Sequence, residues 1–221
     1  MTPLHDRQAD IVIQRSDGAA APDAGLLLLF HGVGSSAEDL RPLGESLAAQ
    51  RPQDWVVNMR SPSPSESGAG WQWFSVLGVT EQNRPARVAA AMPAFQAAVR
   101  HWQRETGVDP ARTTLVGFSQ GAIMALESTQ ADGAPLAGRV VALAGRFAQT
   151  PRRPPHETDL HLMHGDQDRV MPVSLAVDAD RHLRALGARS TLDRFPGLAH
   201  GIDARVIDAI VRRMGEPREP R

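Results

Sequence analysis

One stretch of the 221-residue chain decides the fold: Thr113–Gly121, which reads TTLVGFSQG. Its residues 113–118 form a short, largely apolar run of the kind that fills a buried parallel strand. Helical spacing follows from Ser119 to about Gln130. The glycines on either side of the serine permit a tight turn, because a side chain there would strike neighbouring backbone. The stretch therefore predicts a strand, a sharp turn that carries Ser119, and a helix.

The same alternation of strand and helix extends along the chain. Strands are predicted at Leu26–Phe30, Trp55–Val57, Arg139–Leu143, Asp159–His164 and Ser190–Phe195, and helices at Ser36–Gln50, from Arg84, at Val173–Leu186 and at Ile202–Met214. Residues 60–75, rich in Ser, Pro and Gly, predict a loop without regular structure, and Pro93 predicts a kink or restart in its helix. Strands separated by helical segments are typical of a mostly parallel sheet with helices on both faces. We predict one α/β domain over residues 1–214 and a disordered tail over 215–221.

Composition excludes several functional classes. The chain has no cysteine, which excludes a disulfide scaffold, a Cys-ligated metal site and a thiol nucleophile. Its net charge of −1 argues against a dedicated nucleic-acid partner. Residues 1–14 lack the apolar stretch of a signal peptide, and no apolar run is long enough to span a membrane. We expect a cytoplasmic protein without stable membrane insertion, and the sequence leaves a homodimer open.

Candidate catalytic side chains follow three different predicted strands. Ligands bind at the carboxyl ends of the strands in such sheets, and Ser119, the pair Asp166 and Asp168, and His200 all stand there. Each has a simpler interpretation: a helix cap for the serine, solvated turn residues for the carboxylates, a surface position for the histidine. The order Ser, Asp, His is nevertheless the order in which the triads of α/β-hydrolases run. A serine becomes a good nucleophile when an imidazole takes its proton and a carboxylate orients that imidazole.

Two backbone N–H groups are expected to bind a developing oxyanion. The helix start beside Ser119 places the N–H of Gln120 and the positive end of the helix dipole there. The loop His31–Ser36, after the first long strand, supplies the second donor in α/β-hydrolases, and Val33 is the candidate. We expect His31 itself to be structural.

Metal and phosphate chemistry are not supported by the sequence. His161 and His164 lie three residues apart on one predicted strand and so point to opposite faces, and no H-E-x-x-H occurs. Gly32 and Gly34 lack the third glycine of a dinucleotide loop, and the chain has no lysine for a P-loop. We therefore expect no metal and no cofactor.

Four segments resemble the small carboxylesterase/phospholipase branch of the α/β-hydrolases, which includes the YpfH-type bacterial esterases and the acyl-protein thioesterases. They are FHGVG (30–34), GFSQG (117–121), HGDQDRVMP (164–172) and GLAH (197–200). The resemblance extends from about Leu26 to Met214 and implies an α/β-hydrolase fold without a large cap domain. It implies Ser119, Asp168 and His200 as the triad, because Asp168 occupies the last position of H-G-x-x-D.

An aromatic segment is expected to contact the substrate. Residues 70–74, GWQWF, look like the loop that lies beside the acyl pocket in this branch, which implies substrate-binding roles for Trp71, Trp73 and Phe74. The alternative is that the loop folds back and buries these rings as a small additional core.

The sequence thus leads to one principal hypothesis and two alternatives. The principal hypothesis is a serine carboxylesterase that hydrolyses short to medium acyl esters through an acyl-enzyme intermediate. An acyl-protein thioesterase or lysophospholipase is the alternative within the same chemistry. A non-catalytic binding module on the same fold is the alternative from another class; such modules often lack a triad member, and here all three residues are present.

Overall fold

The structure is a computed structural model that describes residues 10–16, 24–155 and 157–216. Its strands are β1 (Ile11–Gln14), β2 (Leu26–Phe30), β3 (Trp55–Met59), β4 (Ser63–Pro64), β5 (Trp71–Gln72), β6 (Thr113–Phe118), β7 (Arg139–Leu143), β8 (Asp159–Gly165) and β9 (Ser190–Phe195). Its α-helices are α1 (Arg41–Gln50), α2 (Arg84–Thr106), α3 (Gln120–Ser128), α4 (Ser174–Ala185) and α5 (Ala204–Gly215), and 3₁₀ turns lie at Glu38–Leu40 and Pro110–Arg112.

Seven strands form one sheet in the order β1-β3-β2-β6-β7-β8-β9. Strand β1 pairs antiparallel with β3, and every other neighbouring pair in this sheet is parallel. The mostly parallel sheet predicted from the sequence is therefore confirmed. Strand β1 was not predicted, because four residues at a sheet edge carry too little periodicity to be recognised.

The run of five apolar residues in β2 is explained by burial on both sides of the sheet. Leu26, Leu28 and Phe30 pack into a core with residues of α2, α3 and α4. Leu27 and Leu29, which point the other way, pack with residues of α1 and α5. Alternate side chains of a strand face opposite sides, so a strand covered by helices on both faces must be apolar throughout.

Two local predictions differ from the structure. The segment 60–75 was expected to lack regular structure, yet β4 and β5 form a short antiparallel pair within it. The helix does not restart at Pro93, because α2 is one continuous element with the proline inside it, and the kink expected there stays a prediction. Helix α2 begins at Arg84 as predicted, with a proline in its first turn, where the missing N–H costs no hydrogen bond.

Predictions about the two ends of the chain are not tested by the structure. Residues 1–9, which bear on the signal-peptide prediction, and residues 217–221 of the expected tail lie outside the described residues. The single-domain prediction likewise stays a prediction. Among the helices that the structure describes, none has the length and apolarity needed to cross a membrane.

Candidate active site

Ser119 occupies a strained turn between the end of β6 and the start of α3. Its backbone angles are φ 53° and ψ −113°, in a region that non-glycine residues rarely occupy. Such strain persists only where the surrounding structure enforces it, and here the N–H of Ser119 is held by the carbonyl of Leu143 at 2.9 Å. A serine on a sharp strand-to-helix turn is the geometry of the nucleophile elbow of α/β-hydrolases.

The glycines around Ser119 are required by close backbone packing. A Cβ atom on Gly117 would lie 2.6 Å from the backbone of Ala122, and one on Gly121 would overlap the carbonyl oxygen of Phe30. Both obstacles are backbone atoms, which could not rotate away as the end of a flexible side chain could. The G-x-S-x-G pattern is therefore a packing requirement of this turn, as the sequence argument assumed.

His200 connects Ser119 with Asp168. Its Nε2 lies 3.0 Å from Ser119 Oγ, and its Nδ1 lies 2.7 Å from Asp168 Oδ2. These residues come from loops after β6, β8 and β9, at one edge of the sheet. Asp166, the other carboxylate considered, instead accepts the backbone N–H of Gly197 at 2.7 Å. The structure brings together the three residues that the sequence singled out and sets Asp166 apart from them.

Asp168 is buried and well supplied with hydrogen-bond donors. Its Oδ1 accepts the backbone N–H groups of Val170 and Met171, each at 2.8 Å, while Oδ2 accepts from His200. Burial by itself would raise the pKa of Asp168, but the hydrogen bonds from His200, Met171 and Val170 outweigh it and lower the pKa below the usual value. The carboxylate is consequently ionised at neutral pH.

One expected oxyanion donor lies in the serine turn and the other in a loop that passes close to it. The N–H of Gln120 belongs to the first residue of α3, where a helix leaves its N–H groups without internal acceptors. Val33 lies in the loop after β2, and a Cβ on its neighbour Gly32 would be 3.2 Å from the Cβ of Ser119, so this loop passes close to the nucleophile. Within residues 10–16, 24–155 and 157–216, neither N–H is bonded to a protein acceptor.

The aromatic segment connects the two loops that carry these donors. The N–H and carbonyl of Trp71 bond to Ser35 O and Gly34 N at 2.8 and 2.9 Å, beside Val33. The side-chain amide of Gln120 accepts the N–H of Trp73 and donates to the carbonyl of Phe74, both at 2.7 Å. The sequence indicated a role only for the backbone N–H of Gln120, and nothing in the local pattern predicted partners for its side chain.

The three aromatic rings of this segment differ in exposure. Trp73 is 4% exposed, packs against Phe30 and Phe95, and donates its indole N–H to the carbonyl of His31. Phe74 is also buried in the same core. Trp71 is half-buried, with the guanidinium of Arg60 3.8 Å from its ring centre. The core alternative thus describes the surroundings of Trp73 and Phe74, and Trp71 is the one ring of the three that is not buried.

His31 has the structural role expected of it. It is fully buried, its Nδ1 donates to the carbonyl of Gly32 at 2.7 Å, and its Nε2 accepts the N–H of Ser61 at 3.1 Å. Burial lowers the pKa of His31, although the Gly32 hydrogen bond opposes that shift. Because both ring nitrogens of His31 are hydrogen-bonded to backbone groups, the imidazole fixes the start of the loop that leads to Val33. In the described residues, no three His, Asp or Glu side chains are grouped to hold a metal ion.

Comparisons with known proteins point to one family. A family model described as phospholipase/carboxylesterase matches residues 11–214. The chain is 45% identical over 194 residues to esterase YpfH of Escherichia coli K12, covering 88% of this chain and 82% of that protein. It is 26% identical to acyl-protein thioesterase 1 of Neurospora crassa, over 87% and 86% of the two chains.

Solved structures give the same result for the fold. The crystal structure of esterase PE8 matches with a TM-score of 0.80 and 27% identity, covering 97% of this chain and 98% of the other. A carboxylesterase from Mesorhizobium loti matches with a TM-score of 0.76 over 97% and 99% of the two chains, at 20% identity.

Proposed function

The chain belongs to the phospholipase/carboxylesterase family of α/β-hydrolases, and on that premise we propose that Ser119, His200 and Asp168 are the catalytic triad of this serine carboxylesterase. The observation that supports the assignment is the continuous hydrogen-bonded series from Asp168 through His200 to Ser119, at the strained turn. Because all three members are present and connected, the geometry favours a catalyst over the non-catalytic binding module.

The proposed reaction begins with proton transfer from the serine. Asp168, ionised and able only to accept, keeps a proton on Nδ1 of His200, which leaves Nε2 free to accept the proton of Ser119 Oγ. Oγ then attacks the ester carbonyl carbon. The carbonyl oxygen becomes an oxyanion that accepts the N–H groups of Val33 and Gln120, which are free of protein acceptors.

Three further proton transfers complete the cycle. The tetrahedral intermediate collapses as His200 passes its proton to the departing alcohol oxygen, and an acyl group remains on Ser119. Water then attacks the acyl carbon, His200 takes its proton, and the carboxylic acid leaves as that proton returns to Oγ. No step in this cycle uses a metal ion or an organic cofactor.

Covalent labelling tests the nucleophile directly. A fluorophosphonate should react once per chain, with Ser119 Oγ attacking phosphorus and displacing fluoride. Hydrolysis of p-nitrophenyl butyrate should then fall in proportion to the labelled fraction, and peptide mass spectrometry should place the label on Ser119. Label at another residue, or full activity in fully labelled protein, would contradict the assignment.

We also propose short to medium acyl esters as substrates, with Trp71 beside the acyl chain. The segments between the described strands and helices hold only the small β4–β5 pair and no inserted domain, so little protein is available to enclose a long chain. The indole of Trp71 is half-exposed, and the backbone of Trp71 is hydrogen-bonded to Gly34 and Ser35, in the same loop as Val33, which supports a position for the ring near the proposed oxyanion site.

Replacing Trp71 with alanine should change chain-length preference. In the wild type, kcat/KM should rise from acetate to about C4–C8 p-nitrophenyl esters and fall by C16, because each buried methylene contributes about 0.8 kcal/mol, roughly fourfold. In Trp71→Ala the rise should flatten while acetate hydrolysis is largely kept. Trp55 provides the control. It is also half-buried and has an arginine beside its ring, but it lies at the start of β3, so Trp55→Ala should keep the wild-type chain-length profile. A wild-type optimum at C16, or equal profiles for the two variants, would refute this placement.

The thioesterase alternative is supported by the relatives named acyl-protein thioesterase 1, from Neurospora crassa and Kluyveromyces lactis. Esters and thioesters of one acyl group use the same steps and differ in the leaving atom. Comparison of kcat/KM for octanoyl esters and octanoyl thioesters, and then for an S-acylated peptide and a lysophospholipid, decides between the activities.

Three expectations from the sequence stay predictions. They are a cytoplasmic location, the absence of a nucleic-acid partner and the oligomeric state, for which a homodimer is left open.

A further inference from the structure

We propose that His164 is a positioning residue for the reaction, acting through Asp168, an inference that rests on the proposed catalytic role of Asp168. His164 is the penultimate residue of β8 and is 2% exposed. It has no place in the reaction steps above. In the sequence it stands out only as a rejected metal ligand and as the first residue of the H-G-x-x-D pattern, with no role of its own.

The imidazole of His164 lies between two oxygen atoms of the loop that follows β8. Its Nε2 is 2.7 Å from the carbonyl oxygen of Met171 and 3.3 Å from Asp168 Oδ2. A carbonyl oxygen and a carboxylate oxygen can only accept, so Nε2 must carry a proton, and the shorter distance directs it to Met171. The same atom therefore places a positive N–H dipole next to the carboxylate oxygen that accepts from His200.

Met171 completes a closed set of contacts. Its carbonyl accepts from His164 while its own N–H donates to Asp168 Oδ1 at 2.8 Å. His164 thus fixes the backbone of Met171, whose N–H in turn fixes Oδ1 of Asp168. The imidazole also lies beside the other carboxylate oxygen, Oδ2. The side chains of His164 and Asp168 are 1% and 0% exposed, so in the intact protein bulk water does not take the place of this contact. The direction of Oδ2, and with it the orientation of His200, depends on this support.

A purely structural role for His164 makes a different prediction. A buried histidine that only fills space would affect stability, and any loss of activity would follow the fraction of folded protein. A positioning residue changes kcat in the protein that is folded, because an error of about 1 Å in the placement of a catalytic group can cost about a hundredfold in rate. Substrate binding does not use Asp168, so KM should be unaffected.

Two substitutions at position 164 separate these roles. His164→Leu removes the N–H, and kcat should fall about tenfold to a hundredfold with KM within about twofold. His164→Gln retains an N–H at a similar reach and should recover most of kcat. Fluorophosphonate titration counts the folded, reactive sites, so each kcat is expressed per site, and thermal unfolding monitors stability. His161 is a matched control, since it is a buried histidine of the same strand bonded to Thr191: His161→Leu should leave kcat per site unchanged.

The decisive measurement combines His164→Leu with Asp168→Asn. If His164 acts through Asp168, the double variant should be no slower per site than Asp168→Asn alone, because the group being positioned is already lost. Additive losses in the double variant would overturn the inference, as would a kcat within twofold of wild type in His164→Leu or equal losses in the Leu and Gln variants. Full activity in Asp168→Asn by itself would instead contradict the proposed triad, so the two failures are distinguishable.

Discussion

Replacing Ser119 with alanine is expected to reduce kcat for p-nitrophenyl butyrate by about 10⁴- to 10⁶-fold. The substitution removes Oγ, the atom that attacks the carbonyl and that lies 3.0 Å from His200 Nε2. No acyl-enzyme can then form. The N–H groups of Val33 and Gln120 remain, so residual catalysis by oxyanion stabilisation of direct water attack should persist above the uncatalysed rate. Initial rates of the freshly purified variant, compared with wild type, measure the loss of kcat. The same rates, compared with buffer alone, measure the residual catalysis.

A second serine provides the control for this experiment. Ser128 is also buried and lies at the other end of α3, where its hydroxyl donates to the carbonyl of Ala125 within its own helix. Ser128→Ala should therefore keep kcat within about twofold, because it loses one local hydrogen bond and no reacting atom. Retention of more than about a tenth of wild-type kcat in Ser119→Ala would show that another residue is the nucleophile.

Replacing Asp168 with asparagine should lower kcat by about 10⁴-fold, through the tautomer of His200. The N–H groups of Val170 and Met171 require an acceptor at Oδ1, so the amide oxygen takes that position and the NH₂ group replaces Oδ2. His200 then faces a donor and must present a bare Nδ1. Its proton moves to Nε2, where it blocks acceptance of the serine proton. Chain fold should be retained because the Oδ1 contacts are kept, and kcat per labelled site is the measurement.

Asp166 is the matched control, two residues earlier in the same loop. Its carboxylate accepts the N–H of Gly197, and this contact is exposed. Asp166→Asn keeps an acceptor for that N–H and leaves the Asp168–His200 contact intact, so kcat should stay within about threefold of wild type. A larger loss from Asp166→Asn than from Asp168→Asn would reverse the assignment of the acid.

Much of this protein follows from patterns that are local in the chain. The apolar runs of β2 and β6 indicate strands covered on both faces, because each residue of such a strand must be buried whichever way it points. The G-x-S-x-G turn indicates a serine between strand and helix for a reason that is equally local, the lack of space for a Cβ. The carboxyl ends of parallel strands share one edge, so the order of Ser119, Asp168 and His200 after three strands already predicted that they would meet.

Residue patterns alone did not separate Asp166 from Asp168, although the family resemblance implied Asp168, and only the tertiary structure supplied the physical reason. Asp166 and Asp168 stand in one short loop, and which of them faces His200 depends on how that loop curls around the N–H groups of Val170 and Met171. Tertiary packing also decided the partners of the Gln120 side chain, whose amide bonds to residues 46 and 47 positions away. It likewise decided the position of His164 beside Asp168. These contacts are set by the packing of separate loops at the sheet edge, and neither periodicity nor residue type along the chain records distances between loops.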